Sequence, residues 1–360
     1  MNKREFLKAS LLVGAATQLP LRGEGSVSVA NKKRKKLKNW VWTNPNQKDT
    51  DNDIKTRFAA FKSAGITGIF FEADSERHFR AAKANGIEAH RWIWTFNRAE
   101  LVTTHPEWYS KNRNGDSCAD KPPYVTYYRW LCPSREEVQQ YLEQQVNDIL
   151  DKDYVDGIHL DYVRYCDVVL PVNLWSKYNI EQTKELPEYD YCYCDVCKGK
   201  FKEQYGINLT DIQYPEASLS WRYFRYNNIS RVVNSLSAIA HQHKKVITAA
   251  VFPTPEVARR NVRQDWTNWK LDGVCPMIYH GFYKEGVGWI GNAVAEGVHF
   301  LAGSFPVYAG LYLPDFKSDD ELHQGIQNAL KNGAGGVSFF GDVTPQVLNI
   351  LQTEIADQHS

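Results

Sequence analysis

Between residues 39 and 356, short β-rich runs alternate eight times with helical runs, and this pairing limits the fold more than any other feature. Strands are predicted at 39–45, 66–73, 87–97, 155–165, 245–253, 271–279, 305–313 and 335–341. Helices are predicted from about 51 to a stop at Gly65, then at 76–85, 136–152, 221–243, 256–270, 287–299, 319–332 and 344–356. Phe58, Phe61 and Ala64 give the first helix its apolar face, and Gly86 stops the second. Continuous alternation calls for a parallel sheet, and eight units call for closure into a ring. The expected α/β fold is therefore a (β/α)8 TIM barrel. Long excursions follow strands three and four, on the face where such barrels carry their chemistry. An open doubly wound sheet is the alternative, but no glycine-rich dinucleotide loop or Walker sequence follows any strand.

The first residues read Lys3-Arg4-Glu5-Phe6-Leu7-Lys8, then an apolar Leu11-Leu12-Val13-Gly14-Ala15-Ala16. A basic start before a short apolar run reads as an export signal over 1–30, because a membrane span needs ~20 apolar residues. It resembles a twin-arginine signal with Lys in place of the first Arg; an ordinary secretory signal fits equally. No Cys precedes Cys118, which excludes a lipoprotein anchor. Residues 31–38 form a basic linker, and 39–360 a single barrel domain. The expected location is periplasmic or extracellular, with no stable membrane insertion after signal removal. Net charge is +1 for the whole chain and about −1 from residue 31 onward. No basic stripe follows the linker, so nucleic acid is not an expected partner. The 11 Trp, 20 Tyr and 16 Phe suit a cleft whose flat faces stack on sugar rings, and they suit a large core too. Oligomeric state leaves no mark in the sequence.

Strand four carries the strongest chemical signal, Asp156-Gly157-Ile158-His159-Leu160-Asp161-Tyr162. Side chains alternate along a strand, so Ile158 and Leu160 face the helices while His159 and Asp161 face inward. Burying both polar groups costs several kcal/mol unless they are paired or used, on the order of ~2–7 each for unsatisfied polar groups. His90, Trp92 and Trp94 share the inward side of strand three. With Trp42, Tyr279 and His280 they form a wall and donor set near the barrel mouth. Arg164 suits either an anionic group on a substrate or a clamp on Asp161. Cys192, Cys194 and Cys197 form a Cys-x-Cys-x-x-Cys segment. Three such thiolates fit zinc with Cys166 or a His as fourth ligand, or two of them fit a disulfide that braces the loop.

Arg129-Trp130-Leu131-Cys132-Pro133, the helix after it and the run from Tyr154 to Tyr165 together resemble the glycosyl-hydrolase-like family 10. Ala89-His90-Arg91-Trp92 is similar to that family's His-Ala-Trp strand, with Arg91 in place of Ala. The run from Asp272 to Tyr279 is similar to its Asp-x-x-x-Pro-Gln-x-Tyr strand, with Met277 in place of Gln. The resemblance implies an exported barrel that hydrolyses a glycosidic bond in an oligo- or polysaccharide. That chemistry uses two carboxyl groups, one to protonate the leaving oxygen and one to attack or to activate water. Asp161 is expected as nucleophile or base, assisted by His159. Glu72 is expected as the partner, raised in pKa by aromatic neighbours, or else in an ion pair with Arg91 or Arg164. Asp74, Asp342, Asp315 and Glu285 compete for that place, and Asp342 is also a candidate substrate contact. No cofactor is expected for catalysis, and a structural zinc is an option at the cysteines. Two other readings stand beside hydrolysis: an inactive glycan-binding barrel, and a metal-dependent hydrolase with His90, His159 and Asp161 as ligands.

Overall fold

The structure is a computed structural model that describes residues 37–357. The export signal and most of the basic linker lie outside the described residues. Eight strands appear where the pattern placed them: β1 Asn39–Thr43, β2 Ile66–Phe71, β3 Glu88–Trp94, β4 Gly157–Asp161, β5 Val246–Val251, β6 Gly273–Pro276, β7 Ala309–Tyr312 and β8 Val337–Phe340. They form one parallel sheet in the order β6-β5-β4-β3-β2-β1-β8-β7. Parallel bridges from Val274 to Val307 and from Met277 to Gly310 join β6 to β7 and close the ring.

Helices surround it: α1 Asp51–Ser63, α2 Glu76–Ala84, α3 Glu136–Leu150, α4 Trp175–Tyr178, α5 Asp195–Tyr205, α6 Leu219–Gln242, α7 Pro255–Val262, α8 Trp289–Leu301, α9 Asp319–Lys331 and α10 Pro345–Asp357. Their starts are written locally. Thr50 and Asp53 make a reciprocal capping box at α1, and Ser318 caps α9 through the Glu321 N–H. The helix expected over 256–270 ends early, at Val262. Arg263 there takes a left-handed φ of 56°, and its buried guanidinium turns inward to Glu185 and to the Arg260 carbonyl. A tertiary ion pair thus overrides the helical periodicity. Among the described residues, no helix is long and apolar enough to cross a membrane.

Two apolar clusters follow from strand alternation. Ile158 and Leu160 are fully buried in the larger one, between strands and helices. The smaller one fills the barrel itself with Trp40, Trp42, Phe70, Trp92, Ala250, Cys275 and Tyr308. In it, Phe70 lies between Trp40 (centroids 4.7 Å apart) and the imidazole of His159 (3.8 Å), both rings near parallel to it. Room for the Trp40 indole comes from Gly68, in register beside it, where a Cβ would stand 2.1 Å from the ring.

This packing predicts the effect of Gly68→Ala. The indole cannot retreat while it is stacked on Phe70, so the added methyl should cost about 1–3 kcal/mol as overpacking. A lower midpoint in urea unfolding, with unchanged slope, is the expected reading.

Candidate active site

The ring pile occupies the lower barrel. A cleft of about 660 Å³ opens at the carboxyl ends of the strands. Trp42, Trp92, Ala250 and Met277 make its floor; Trp94, Tyr127, Tyr128 and Tyr162 line one side, and Tyr279, Tyr312 and Phe340 another. The acidic residues lining it are Glu72, Asp161 and Asp167.

Asp161 ends β4, in register with Trp94 of β3. Its Oδ2 accepts the Trp92 indole N–H at 3.1 Å, and its Oδ1 accepts the Tyr162 backbone N–H at 2.6 Å. Tyr162 holds a left-handed φ of 47°, a conformation that costs a non-glycine residue roughly 1–2 kcal/mol. Its ring packs on Trp94 at 4.7 Å, and its carbonyl accepts from Phe96 N, so the strained residue is fixed on both sides. Burial pushes the Asp161 carboxyl up to about 6. The Tyr162 N–H, Arg164 and the Trp92 indole oppose that rise, and the negative charge of Glu72 adds to it. Such a group exchanges protons near neutral pH.

Glu72 follows the last residue of β2, and its backbone N–H donates to Thr43 O at 3.0 Å. The side chain continues the inward series of Gly68 and Phe70. Among the described residues no cation lies within ion-pair distance of it, which removes the expected ion pair. Arg91 instead donates to the carbonyls of Phe71 and Trp92. Arg164 is held by Asp167 at 2.9 Å and packed over Trp130, Phe252 and Tyr162. It lines the cleft with its charge matched by Asp167 and makes no hydrogen bond to Asp161.

Several expected positions move. His159 faces inward as alternation demands, yet it lies below the cleft, fully buried. Its Nε2 accepts the Trp42 indole N–H at 2.9 Å, which leaves the proton on Nδ1 to meet Thr248 Oγ1 at 2.8 Å. Burial, reinforced by the neighbouring His90, holds its pKa well below the ordinary value, so the ring is neutral. It supports Trp42 and does not line the cleft. His90 is likewise buried, edge-on to Trp40 and near Glu88 at the barrel floor. Among the described residues, the ligand atoms of His90, His159 and Asp161 do not come together as a metal-binding group. His280 sits outside the cleft against Phe316, and Asp342 is exposed and also outside it. Of the competing acids, Asp74 pairs with Lys152 and Tyr154, Asp315 accepts the Gly281 N–H, and Glu285 is exposed. None lines the cleft. Trp42, Trp92, Arg164 and Tyr279 do, as expected.

Tyr124, Tyr127, Tyr128, Asp167 and Lys177 were not anticipated. All sit in the excursions after β3 and β4, and the tyrosine-rich run at 124–128 was the available signal. Cys192, Cys194 and Cys197 do cluster, and Cys132 joins them, displacing the expected Cys166 or His.

A closed ring of parallel strands with carboxylates in an aromatic cleft at their carboxyl ends defines a glycoside-hydrolase-like barrel. The sequence model of the glycosyl hydrolase-like 10 family matches residues 79–297, and the chain belongs to that family. No curated protein matches it in sequence. Similar solved structures include the glycoside hydrolase domain of PgaB (BpsB) from Bordetella bronchiseptica, at 11% identity over 87% of this chain and 95% of that one, TM-score 0.61. The catalytic domain of beta-amylase from Paenibacillus polymyxa is 11% identical over 91% and 99%, TM-score 0.63. A beta-galactosidase from the psychrophilic Marinomonas ef1 is 9% identical over 89% and 60%, TM-score 0.62. At such identities the likeness establishes the barrel fold alone.

The Asp161 environment makes a prediction for stability. Its folded pKa of about 6 lies above the unfolded value of ~3.9, so ionising it costs stability. That cost grows as pH rises from ~4 to ~6 and is complete above. Asp161→Asn should therefore raise the thermal midpoint at pH 8 more than at pH 4, read by calorimetry at both.

Proposed function

We propose that this chain hydrolyses a glycosidic bond of an oligo- or polysaccharide, with Asp161 as proton donor and Glu72 as its carboxylate partner. The observation that carries this reading is a carboxyl with a pKa near 6 inside an aromatic cleft that holds a second carboxylate. It reverses the division of labour expected from the sequence, in which Asp161 was base and Glu72 acid. Protonated Asp161 gives its proton to the bridging oxygen as the carbon–oxygen bond breaks. Glu72 takes a proton from the water that adds to the anomeric carbon.

Trp42, Trp92 and Trp94 offer flat faces for pyranose rings, and Tyr127, Tyr279 and Tyr312 add rings with hydroxyl ends. The cleft volume falls within the usual range for small-molecule sites. Lys177 is exposed at the cleft and supplies a cation for a charged sugar. The glycoside hydrolases among the structural neighbours support the class of chemistry without naming a sugar.

Screening the purified protein against bacterial and plant glycans tests the reading. On an active substrate, Asp161→Asn and Glu72→Gln should each lower kcat by about 10²–10⁴-fold while sugar binding persists. The proton donor must be protonated, so kcat/KM should fall as pH rises through about 6. Proton NMR of the first product should show a single anomer, inverted if the two carboxyl groups hold a water between them and retained if one of them attacks the sugar. Wild-type protein that binds glycans without ever turning them over would reduce the chain to a binding barrel.

A further inference from the structure

We propose that Cys132, Cys192, Cys194 and Cys197 hold one structural zinc ion that ties the excursion after β3 to the excursion after β4. The four sulfurs lie within 4.8 Å of one another, and all four residues are buried. Cys132 Sγ is 3.6 Å from Cys194 Sγ and 3.4 Å from Cys197 Sγ. A tetrahedron with Zn–S bonds of ~2.3 Å has edges of about 3.75 Å, whereas a disulfide brings its sulfurs to ~2.05 Å. The observed spacing matches an edge of the tetrahedron. One sulfur stands close to two others at once, which a disulfide pair does not require and a central cation does.

The surroundings suit charge. Four thiolates around Zn²⁺ leave a net negative centre, and thiolates without a cation repel. Cys194 is the N-cap of α5, so the helix opens with its free N–H groups on this cluster. Ser134 Oγ lies 3.1 Å from Cys197 Sγ, placed to donate to a thiolate. No sulfur faces the cleft, and four protein ligands leave no open coordination position. The ion would brace structure and would not perform the hydrolysis.

The two segments joined are far apart in the chain, 62 positions between Cys132 and Cys194. The excursion ending at Cys132 carries Tyr124, Tyr127 and Tyr128; the one containing the other cysteines carries Asp167, Lys177 and Tyr178. All six line the cleft. The clamp therefore fixes the two excursions against each other where Tyr124 packs on Tyr178, and so positions the cleft residues they carry, whatever reaction the cleft supports.

Elemental analysis of the full chain, purified without chelator, should give about one zinc per molecule. Cobalt exchanged into that site should show the strong visible bands of tetrahedral thiolate coordination. Cys197→Ser should lose most of the metal, and Cys275→Ala, a buried cysteine elsewhere in the barrel, should keep it. Should Cys197→Ser fail to fold, the wild-type zinc content and cobalt spectrum still decide the question. Removal of the metal should raise hydrogen exchange in 118–132 and 190–200 and leave the strands protected. Metal-free protein whose intact mass shows disulfides among these four cysteines, or free thiols with no bound zinc, would overturn the proposal.

Discussion

The hydrogen bond from the Trp42 indole to His159, completed by Thr248 on the other side of the imidazole, is the constraint on which the cleft rests. A buried imidazole costs least when both its nitrogens find partners. Here Trp42 from β1, three strands away, and Thr248 from the neighbouring β5 satisfy those of His159. The ring is then flat and neutral, and Phe70 can stack on it at 3.8 Å with Trp40 beneath. These rings pack together in the lower barrel. The cleft opens at the carboxyl ends, above Trp42 and Trp92. Glycines at 68 and 157 make the pile feasible, since a Cβ at either would overlap Trp40 or His90.

Above that floor the electrostatics are divided between two acids with opposite surroundings. Asp167 has Arg164 against it and is part of a buried pair wrapped by aromatic rings. Asp161, three residues before Arg164, has only N–H donors from Trp92 and Tyr162, and its burial is not offset by a direct cation. The chain at and just beyond the end of β4 thus supplies one acid paired with a cation and one poised to exchange a proton. The left-handed turn at Tyr162 separates them, sending the chain out of the sheet immediately after the carboxylate.

Much of this was readable in one dimension. The period-two alternation of β3 and β4 correctly pointed His90, Trp92, Trp94, His159 and Asp161 inward, because the direction of a side chain from a strand is a local property. The helices expected from about 51 and at 319–332 begin where they were placed, and the caps that start them, Thr50 and Ser318, are local too. Depth along the barrel axis is not local. His159 and Asp161 both point inward, one step apart, and only the neighbours' bulk decides that one is floor and the other is site. His90 was misjudged on the same ground. The Cys132 thiol belonged to a recognised run yet was not assigned to the cysteine cluster, since no spacing rule links positions so far apart.

What the sequence alone determined is therefore the architecture, the inward set of each strand and Asp161 at the rim of β4, all consequences of short-range periodicity. What tertiary structure decided is which inward groups meet solvent and which meet one another. Arg164 found Asp167, His159 found Trp42 and Thr248, and Cys132 found Cys192, Cys194 and Cys197. The physical reason is that pairing and burial energies depend on distances between strands and loops, and closing the ring and folding the two excursions sets those distances.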